Sequence, residues 1–281
     1  IDIKIILLIL LLFFHILANY QVLTCSKVVR ICDENAQLTA GLQWFNQARH
    51  KGHINIFDSW DNLFTLEMAQ AHPRFFVAIQ FLAWNFLASI GLMDFNWMIL
   101  LVNSIFLLIL IFSVYGLGSI IYGKDVGFIS ALLLSFFPVV FGLSRIAMLD
   151  FPLMAMVTLS FYLLLRTRKF SSLIFSILFG LVFGLAQITK ETAVLFVIVP
   201  LVYYFLNSYS EHRNNKVIIN LFLALVCFFL VAGSVFLRRE NFHVYSTYMA
   251  KVAMHVFKPG WRDHVFLLFN AIGPCVFLIF L

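Results

Sequence analysis

Charge is scarce in this sequence, and its scarcity excludes a water-soluble fold. Only 11% of the residues are Asp, Glu, Lys or Arg, whereas 63% are hydrophobic, and the mean hydropathy is +0.99. A soluble domain carries about 25% charged residues, because its surface must be solvated. The composition therefore predicts a polytopic membrane protein. Its net charge of +6 is typical of basic loop ends in such proteins and is no indication of nucleic-acid binding.

Several local patterns are missing as well. No short segments of alternating polarity suggest a barrel, so the membrane-spanning segments are expected to be helices. Neither a P-loop nor a G-x-G-x-x-G sequence is present, and nucleotide-binding chemistry therefore has no recognisable motif. The sequence has no internal repeat of the kind found in many secondary transporters. The ionisable groups of a transporter would also lie near the middle of the membrane, whereas the charges here stand at the ends of apolar segments.

Long apolar runs are abundant, and Phe, with 34 residues, is prominent in them. Most approach the roughly 20 residues that a helix needs to cross about 30 Å of hydrocarbon. We interpret the first run as a retained anchor, because Asn19-Tyr20-Gln21 is a poor signal-peptidase site. The last run reaches Leu281, and we expect a C-terminal portion to follow it. The runs are residues 1–19, 75–92, 97–122, 126–144, 148–165, 171–188, 192–208, 217–237 and 265–281.

Basic loops orient these segments. The positive-inside rule places residues 166–169 and 213–216 in the cytoplasm, together with Lys4 and Lys124. Membrane crossings can be counted forward from Lys4 and backward from the two basic loops. The two counts give the same topology only if the short run 75–92 does not span the membrane. The sequence thus predicts about eight membrane-spanning helices, a cytoplasmic N-terminus and an interfacial or re-entrant helix at 75–92. The alternative, in which 75–92 spans, would place a basic cluster outside.

We interpret residues 1–281 as one transmembrane catalytic module. Residues 20–96 form its first outer loop, with juxtamembrane or re-entrant helices, because Leu38, Leu42 and Phe45 share one helical face. Residues 238–264 form a later outer loop that is rich in aromatic and basic side chains. Such rings suit an interfacial belt and also stack on sugars.

Polar groups cluster at three places that this topology puts on one membrane face. The first place is the first outer loop, which contains Asp33-Glu34 and, later, His72-Pro73-Arg74. The second is the turn between Arg145 and Asp150, which continues to Pro152. Thr189-Lys190-Glu191 forms the third place. Each has a structural explanation: Asp33 and Asp150 are typical N-caps, Arg145 is a typical anchor, and Lys190 suits a pair with its neighbour.

The order of these pieces resembles the GT-C membrane glycosyltransferases from about Tyr20 to Tyr204. An acidic pair, a His-Pro step, an Arg-x4-Asp-x-Pro turn and a Gly-rich helix ending in Thr-Lys look like the dolichyl-phosphate-mannose protein mannosyltransferases and their bacterial relatives, including aminoarabinose transferases. The resemblance implies a GT-C-type helical bundle with a helical first outer loop. It also implies transfer of a sugar from a polyprenyl phosphate to an acceptor hydroxyl on the extracytoplasmic face.

The resemblance implies roles for individual residues. The first-loop acid of the family, its catalytic carboxylate, maps onto Asp33, and the second-loop acid maps onto Asp150. A carboxylate must take the acceptor's proton, which is general-base work for Asp33 with Glu34 as its partner or substitute. Here His72-Pro73-Arg74 stands where relatives commonly have His-Pro-Pro.

The leaving phosphate gains charge as the glycosidic bond breaks, so cations already in place stabilise it. The donor-binding candidates are His72, Arg74, Arg145 and Lys190. Asp33, Glu34 and Asp150 carry oxygen ligands suited to Mg²⁺ or Mn²⁺, but the mannosyltransferase-like branch does not generally depend on a metal, and we assign none.

The expected partners are a polyprenyl-phosphate sugar, an acceptor and the lipid bilayer, without nucleic acid. A protein hydroxyl, an envelope lipid and a glycan all fit as acceptors. The host membrane would be the plasma membrane of a prokaryote or the endoplasmic reticulum of a eukaryote. A multi-pass transporter and a catalytically inactive GT-C-like scaffold are the alternative functions.

Overall fold

The computed structural model describes residues 2–25, 32–50, 75–211 and 215–236, and these ranges are helical almost throughout. The helices in these ranges are α1 (Ile3–Cys25), α2 (Cys32–His50), α3 (Phe75–Ser89), α4 (Phe95–Tyr122), α5 (Lys124–Ser135), α6 (Pro138–Leu143), α7 (Asp150–Arg166), α8 (Leu173–Gln187), α9 (Ala193–Glu211) and α10 (Asn215–Phe236). The prediction of an all-helical polytopic membrane protein is confirmed.

Among the described helices, three are long and apolar enough to cross a membrane. These are α1, α4 and, over Asn215–Val235, α10. Apolar stretches in α3, α8 and α9 are shorter. With 15 residues each, α3 and α8 are about 22 Å long. Length alone therefore does not distinguish α3, which is predicted to be interfacial or re-entrant, from α8, which is predicted to span.

The bundle is organised around α4, which packs against α1, α3, α5 and α7. A second close pair joins α8 to α10, where a Cβ at Gly180 would collide with the backbone of Ala224 and one at Gly184 would press on Val231. Small residues one helical turn apart let two apolar helices approach closely in a membrane. The Gly180-x3-Gly184 spacing therefore has a packing explanation.

The predicted span 126–144 is wrong in one respect, because the chain divides it into α5 and α6. Phe137 leaves the helical region with φ −57° and ψ 133°, and Pro138 starts α6. Proline lacks the N–H that would continue the hydrogen-bond ladder and disfavours helical backbone in the residue before it. The break brings residues 144–149 to the end of the bundle as a turn.

Four charges join the starts of α1 and α5. Lys124 Nζ lies 2.9 Å from a carboxylate oxygen of Asp2, and Lys4 Nζ lies 2.5 Å from Asp125. The hydrogen bond from Lys124 lowers the pKa of Asp2 and raises that of Lys124. The start of α5 follows directly on the end of α4, and at the other end of α1 the Tyr20 ring lies 5.1 Å from the ring of Trp97, near the start of α4. The helices α1 and α4 therefore run antiparallel.

Candidate functional site

Polar side chains from distant parts of the chain meet where α1 ends and α7 begins. We call this the Asp150 end of the bundle. Four of the residues singled out in the sequence lie there, namely Glu34, Arg145, Asp150 and Lys190. The first-loop helix α2 thus contacts the 144–149 turn through Glu34, and the 188–192 turn contacts the start of α7 through Lys190.

Asp150 and Lys190 form a direct ion pair. Lys190 Nζ donates to Asp150 Oδ1 at 2.7 Å, with 23% of the Lys190 side chain and 45% of the Asp150 side chain exposed. Asp150 is the first residue of α7 and makes no capping bond to its own helix, so the N-cap interpretation is wrong. Lys190 contacts the acid of another turn. The pair therefore presents a partly open ammonium group beside a carboxylate.

The turn that carries Lys190 is held by the side chain of Gln187, the last residue of α8. Its amide nitrogen donates to the Glu191 carbonyl and its amide oxygen accepts from the Val194 backbone N–H, both at 2.9 Å. Two hydrogen bonds from one side chain close the short connection between α8 and α9. They fix the place from which Lys190 reaches Asp150.

Glu34 is buried, with only 2% of its surface exposed. Its Oε1 accepts the backbone N–H of Ala147 at 3.2 Å, which ties α2 to the 144–149 turn. Its Oε2 is also buried and has no hydrogen-bond partner among the described residues. A buried carboxylate oxygen without a partner is costly, and in native proteins such atoms mark places where a proton, a water or a ligand group belongs.

Arg145 is held in the same turn by two contacts. Its Nε donates to Asn19 Oδ1 at 2.9 Å, and its guanidinium carbon lies 3.6 Å from the centre of the Phe141 ring. Burial lowers the pKa of Arg145, but an arginine starts so far above neutral pH that it stays charged. One of five N–H donors is used by Asn19, and the fork geometry leaves others for an anion.

Two asparagines that the sequence interpretation missed build this turn. Asn103, in the first third of the apolar α4, donates from Nδ2 to the carbonyls of Ser144 and Ile146 at 3.1 and 2.9 Å. Asn19 Nδ2 donates to Ser144 Oγ at 3.1 Å. The available signal was an amide inside an apolar run, since polar residues at membrane depth are expensive and are kept for a reason.

Three further candidates are placed only in part. Asp33 is the second residue of α2 and so lies inside its first turn; its backbone is described, and its side chain is outside the described residues. His72 and Arg74 also lie outside the described residues. Within the described ranges, no group of three His, Cys, Asp or Glu side chains is arranged to hold a metal ion.

The sequence model of the family described as dolichyl-phosphate-mannose-protein mannosyltransferase matches residues 72–236, more than half of the chain. The match includes His72, Arg74, Arg145, Asp150 and Lys190 and begins after Asp33 and Glu34. No curated protein and no solved structure matches the chain significantly. Glycosyl transfer at a membrane, with a lipid-linked sugar as the donor, is the general activity of the family. The chain belongs to the dolichyl-phosphate-mannose-protein mannosyltransferase family of membrane glycosyltransferases.

Proposed function

We propose that this protein transfers a sugar from a polyprenyl-phosphate donor to an acceptor hydroxyl at the Asp150 end, on the extracytoplasmic side of the membrane. The observation that carries the proposal is the Asp150–Lys190 ion pair, 2.7 Å long, in the same polar cluster as the buried Glu34 and Arg145. Family membership supports a lipid-linked donor. A polyprenyl phosphate suits this end of the bundle, because cations can bind its phosphate while its prenyl tail packs against the apolar helices.

Asp33 is the proposed general base. The acceptor oxygen attacks the anomeric carbon of the sugar while the Asp33 carboxylate takes the hydroxyl proton, and the bond from that carbon to the phosphate oxygen breaks. The products are the glycosylated acceptor and a polyprenyl phosphate, with inversion at the anomeric carbon. Asp33 lies in the first turn of α2, next to the residue that anchors this helix to the site.

Lys190 and Arg145 are the proposed stabilisers of the leaving phosphate, with His72 and Arg74 completing the donor site. An ammonium group has three N–H donors, so contact with Asp150 leaves Lys190 able to bind phosphate oxygens. Cations fixed before the reaction lower the barrier most, because nothing must reorganise as charge develops. Asp150 thus orients Lys190, and Glu34 holds the 144–149 turn against α2.

The test is transfer of labelled sugar from a panel of polyprenyl-phosphate sugars, including mannosyl and aminoarabinosyl donors. Membranes carrying the full-length protein are compared with membranes carrying the Asp33→Asn variant. We expect wild type to release polyprenyl phosphate with one donor class and Asp33→Asn to be at least about a hundredfold slower, which is the scale of general-base catalysis. The active donor identifies the sugar.

Asp94→Asn is the matched control. Asp94 caps α4 by accepting the Asn96 N–H, and Asn is an equally good cap, so this variant removes a carboxylate without disturbing the helix. It should transfer sugar at the wild-type rate. Equal rates for wild type and Asp33→Asn would remove Asp33 from the mechanism. Absence of transfer with every donor would favour the inactive-scaffold alternative.

A further inference from the structure

A groove lies at the opposite end of the bundle, between the second half of α4 and the last turns of α7. It encloses about 510 Å³ and shares no lining residue with the polar cluster of the Asp150 end. We call its end of the bundle the Arg166 end. The apolar walls include Leu108, Phe112, Ile120 and Leu159.

Two cations line the groove where it approaches the membrane surface. Lys124 starts α5 and donates to Asp2, whereas Arg166 ends α7 and lies over the Phe175 ring, 4.6 Å from its centre. The Nε of Arg166 is buried and has no hydrogen-bond partner among the described residues. Among the residues that the structure describes, none of those lining the groove carries a carboxylate. Its charge therefore suits an anion.

A buried hydroxyl marks the inner part of the groove. Ser113 is 2% exposed, lines the groove, and its Oγ has no hydrogen-bond partner in the described part of the chain. Buried hydroxyls are nearly always hydrogen-bonded, so an oxygen-bearing ligand group is the expected partner. Ser113 lies about 10 Å along α4 from Ile120, in the inner part of the groove and deeper than a charged head.

The length of the groove matches one leaflet of a bilayer. From Leu108 to Ile120 the axis of α4 advances about 18 Å. Half of the hydrocarbon thickness of a bilayer is about 15 Å. The groove therefore runs from the surface to about the middle of the membrane, as a single acyl chain does.

We propose that the groove binds an anionic phospholipid of the leaflet at the Arg166 end. One acyl chain lies along α4 against Leu108, Phe112 and Leu159, and the phosphate is held by Arg166 with Lys124. Arg168, in the turn that follows α7, is exposed, does not line the groove and takes no part in holding the phosphate. The predicted topology makes this end cytoplasmic, and the cytoplasmic leaflet is the one rich in anionic lipid.

The test uses the full-length protein in bilayer nanodiscs with a photoactivatable phosphatidylglycerol whose reactive group sits in the acyl chain. After irradiation, the labelled peptides are mapped by mass spectrometry. We expect labels in segments 108–120 and 159–166. Unlabelled phosphatidylglycerol should compete with the probe, and phosphatidylcholine of the same chain length should compete about tenfold less effectively. Labels spread over all exposed helices, or labelling of this groove only by a polyprenyl-phosphate probe, would overturn the proposal.

Matched variants separate a site from diffuse attraction. Arg166→Gln and Arg168→Gln change the net charge equally, but only Arg166 lines the groove, while Arg168 is exposed in the turn. Arg166→Gln should reduce groove labelling about tenfold, because it removes a charge-assisted contact, and Arg168→Gln should leave it unchanged. Leu159→Trp, which fills the groove, should abolish labelling. Equal losses in the two arginine variants would contradict the proposal.

Discussion

At the scale of single residues, Glu34 is the side chain whose surroundings most constrain its role. One carboxylate oxygen holds the Ala147 N–H, and the other is buried without a described partner. A general base must reach the acceptor, whereas a residue that holds a turn must keep its hydrogen bond. The two roles place different demands on the same carboxylate, and two substitutions distinguish them.

We predict that Glu34→Gln keeps most of the transfer activity, within about tenfold, because the amide oxygen still accepts the Ala147 N–H. Glu34→Ala should lower the free energy of unfolding by about 1–3 kcal/mol, since a buried N–H loses its partner. It should also slow transfer. Thermal unfolding and initial transfer rates of both variants are the measurements. A loss of a hundredfold or more in Glu34→Gln, with unchanged stability, would instead make Glu34 the base.

The Asp150–Lys190 pair illustrates what single residues reveal in a sequence. Both were singled out because charges are rare in the chain and stand at the ends of apolar runs. Their contact was not predictable, because the two residues are 40 positions apart and their meeting depends on how α7 packs against α8. The rarity of charged residues thus identifies candidate site residues in the sequence, but the packing of the helices determines which of them contact each other.

At the scale of elements, the 144–149 turn depends on α4 more than on its own sequence. Asn103, on α4, donates to the carbonyls of both Ser144 and Ile146. The other donors to these carbonyls are the Asn19 side chain at 3.5 Å and the Met148 N–H at 3.0 Å. The turn positions Arg145 and receives Glu34, so its stability is linked to the geometry of the site.

Asn103→Leu should therefore lower the free energy of unfolding by about 1–3 kcal/mol, because it removes two hydrogen bonds and leaves the Ser144 carbonyl with Asn19 at 3.5 Å and the Ile146 carbonyl with the Met148 N–H. Transfer should fall with it. Asn85→Leu is the control, because the Asn85 amide donates to the Phe81 carbonyl of its own helix and so joins no two elements among the described residues. Thermal unfolding of both variants in one detergent is the measurement. Equal melting temperatures for Asn103→Leu and wild type would show that the turn does not depend on α4.

Helix positions were predictable because apolar length and local chemistry determine them. The sequence indicated helices in both the apolar runs and the first loop, and the ends of most described helices are within a few residues of those predicted. The helix α1 continues to Cys25, beyond the predicted end at residue 19, and the predicted run 265–281 and the later outer loop 238–264 lie outside the described residues. The interruption before Pro138 was overlooked, although proline gave the signal, because hydrophobicity runs unbroken through it. The donors from Asn19 and Asn103 depend on tertiary contact and have no local pattern.

At the scale of the whole molecule, contacts at both ends of α3 bear on the predicted topology. The Phe75 N–H donates to the Ile188 carbonyl at 3.4 Å, two residues before Lys190, and the Trp84 ring packs on Phe95, near the start of α4. Both neighbours belong to the Asp150 end. These contacts favour the prediction that α3 enters the membrane without crossing it.

Cysteine labelling tests this topology directly. Cys25 is exposed at the end of α1, Ser89 is exposed at the end of α3, and Tyr122 is 74% exposed at the end of α4. If α3 does not cross, a membrane-impermeant maleimide applied from the extracytoplasmic side should label Cys25 and Ser89→Cys in single-cysteine proteins. It should not label Tyr122→Cys, because α4 spans the bilayer and ends at the other face.

Permeabilised membranes provide the control, since all three thiols should then react. If α3 crosses, Cys25 and Ser89→Cys would be labelled from opposite sides, and the ends of α4 would exchange faces. Labelling of Tyr122→Cys together with Cys25 would then follow. Such a result would also place residues 166–169 outside against the positive-inside rule, because Lys124 and Arg166 line one groove. The three thiols therefore decide the path of α3 and the face that carries the Asp150 end in one experiment.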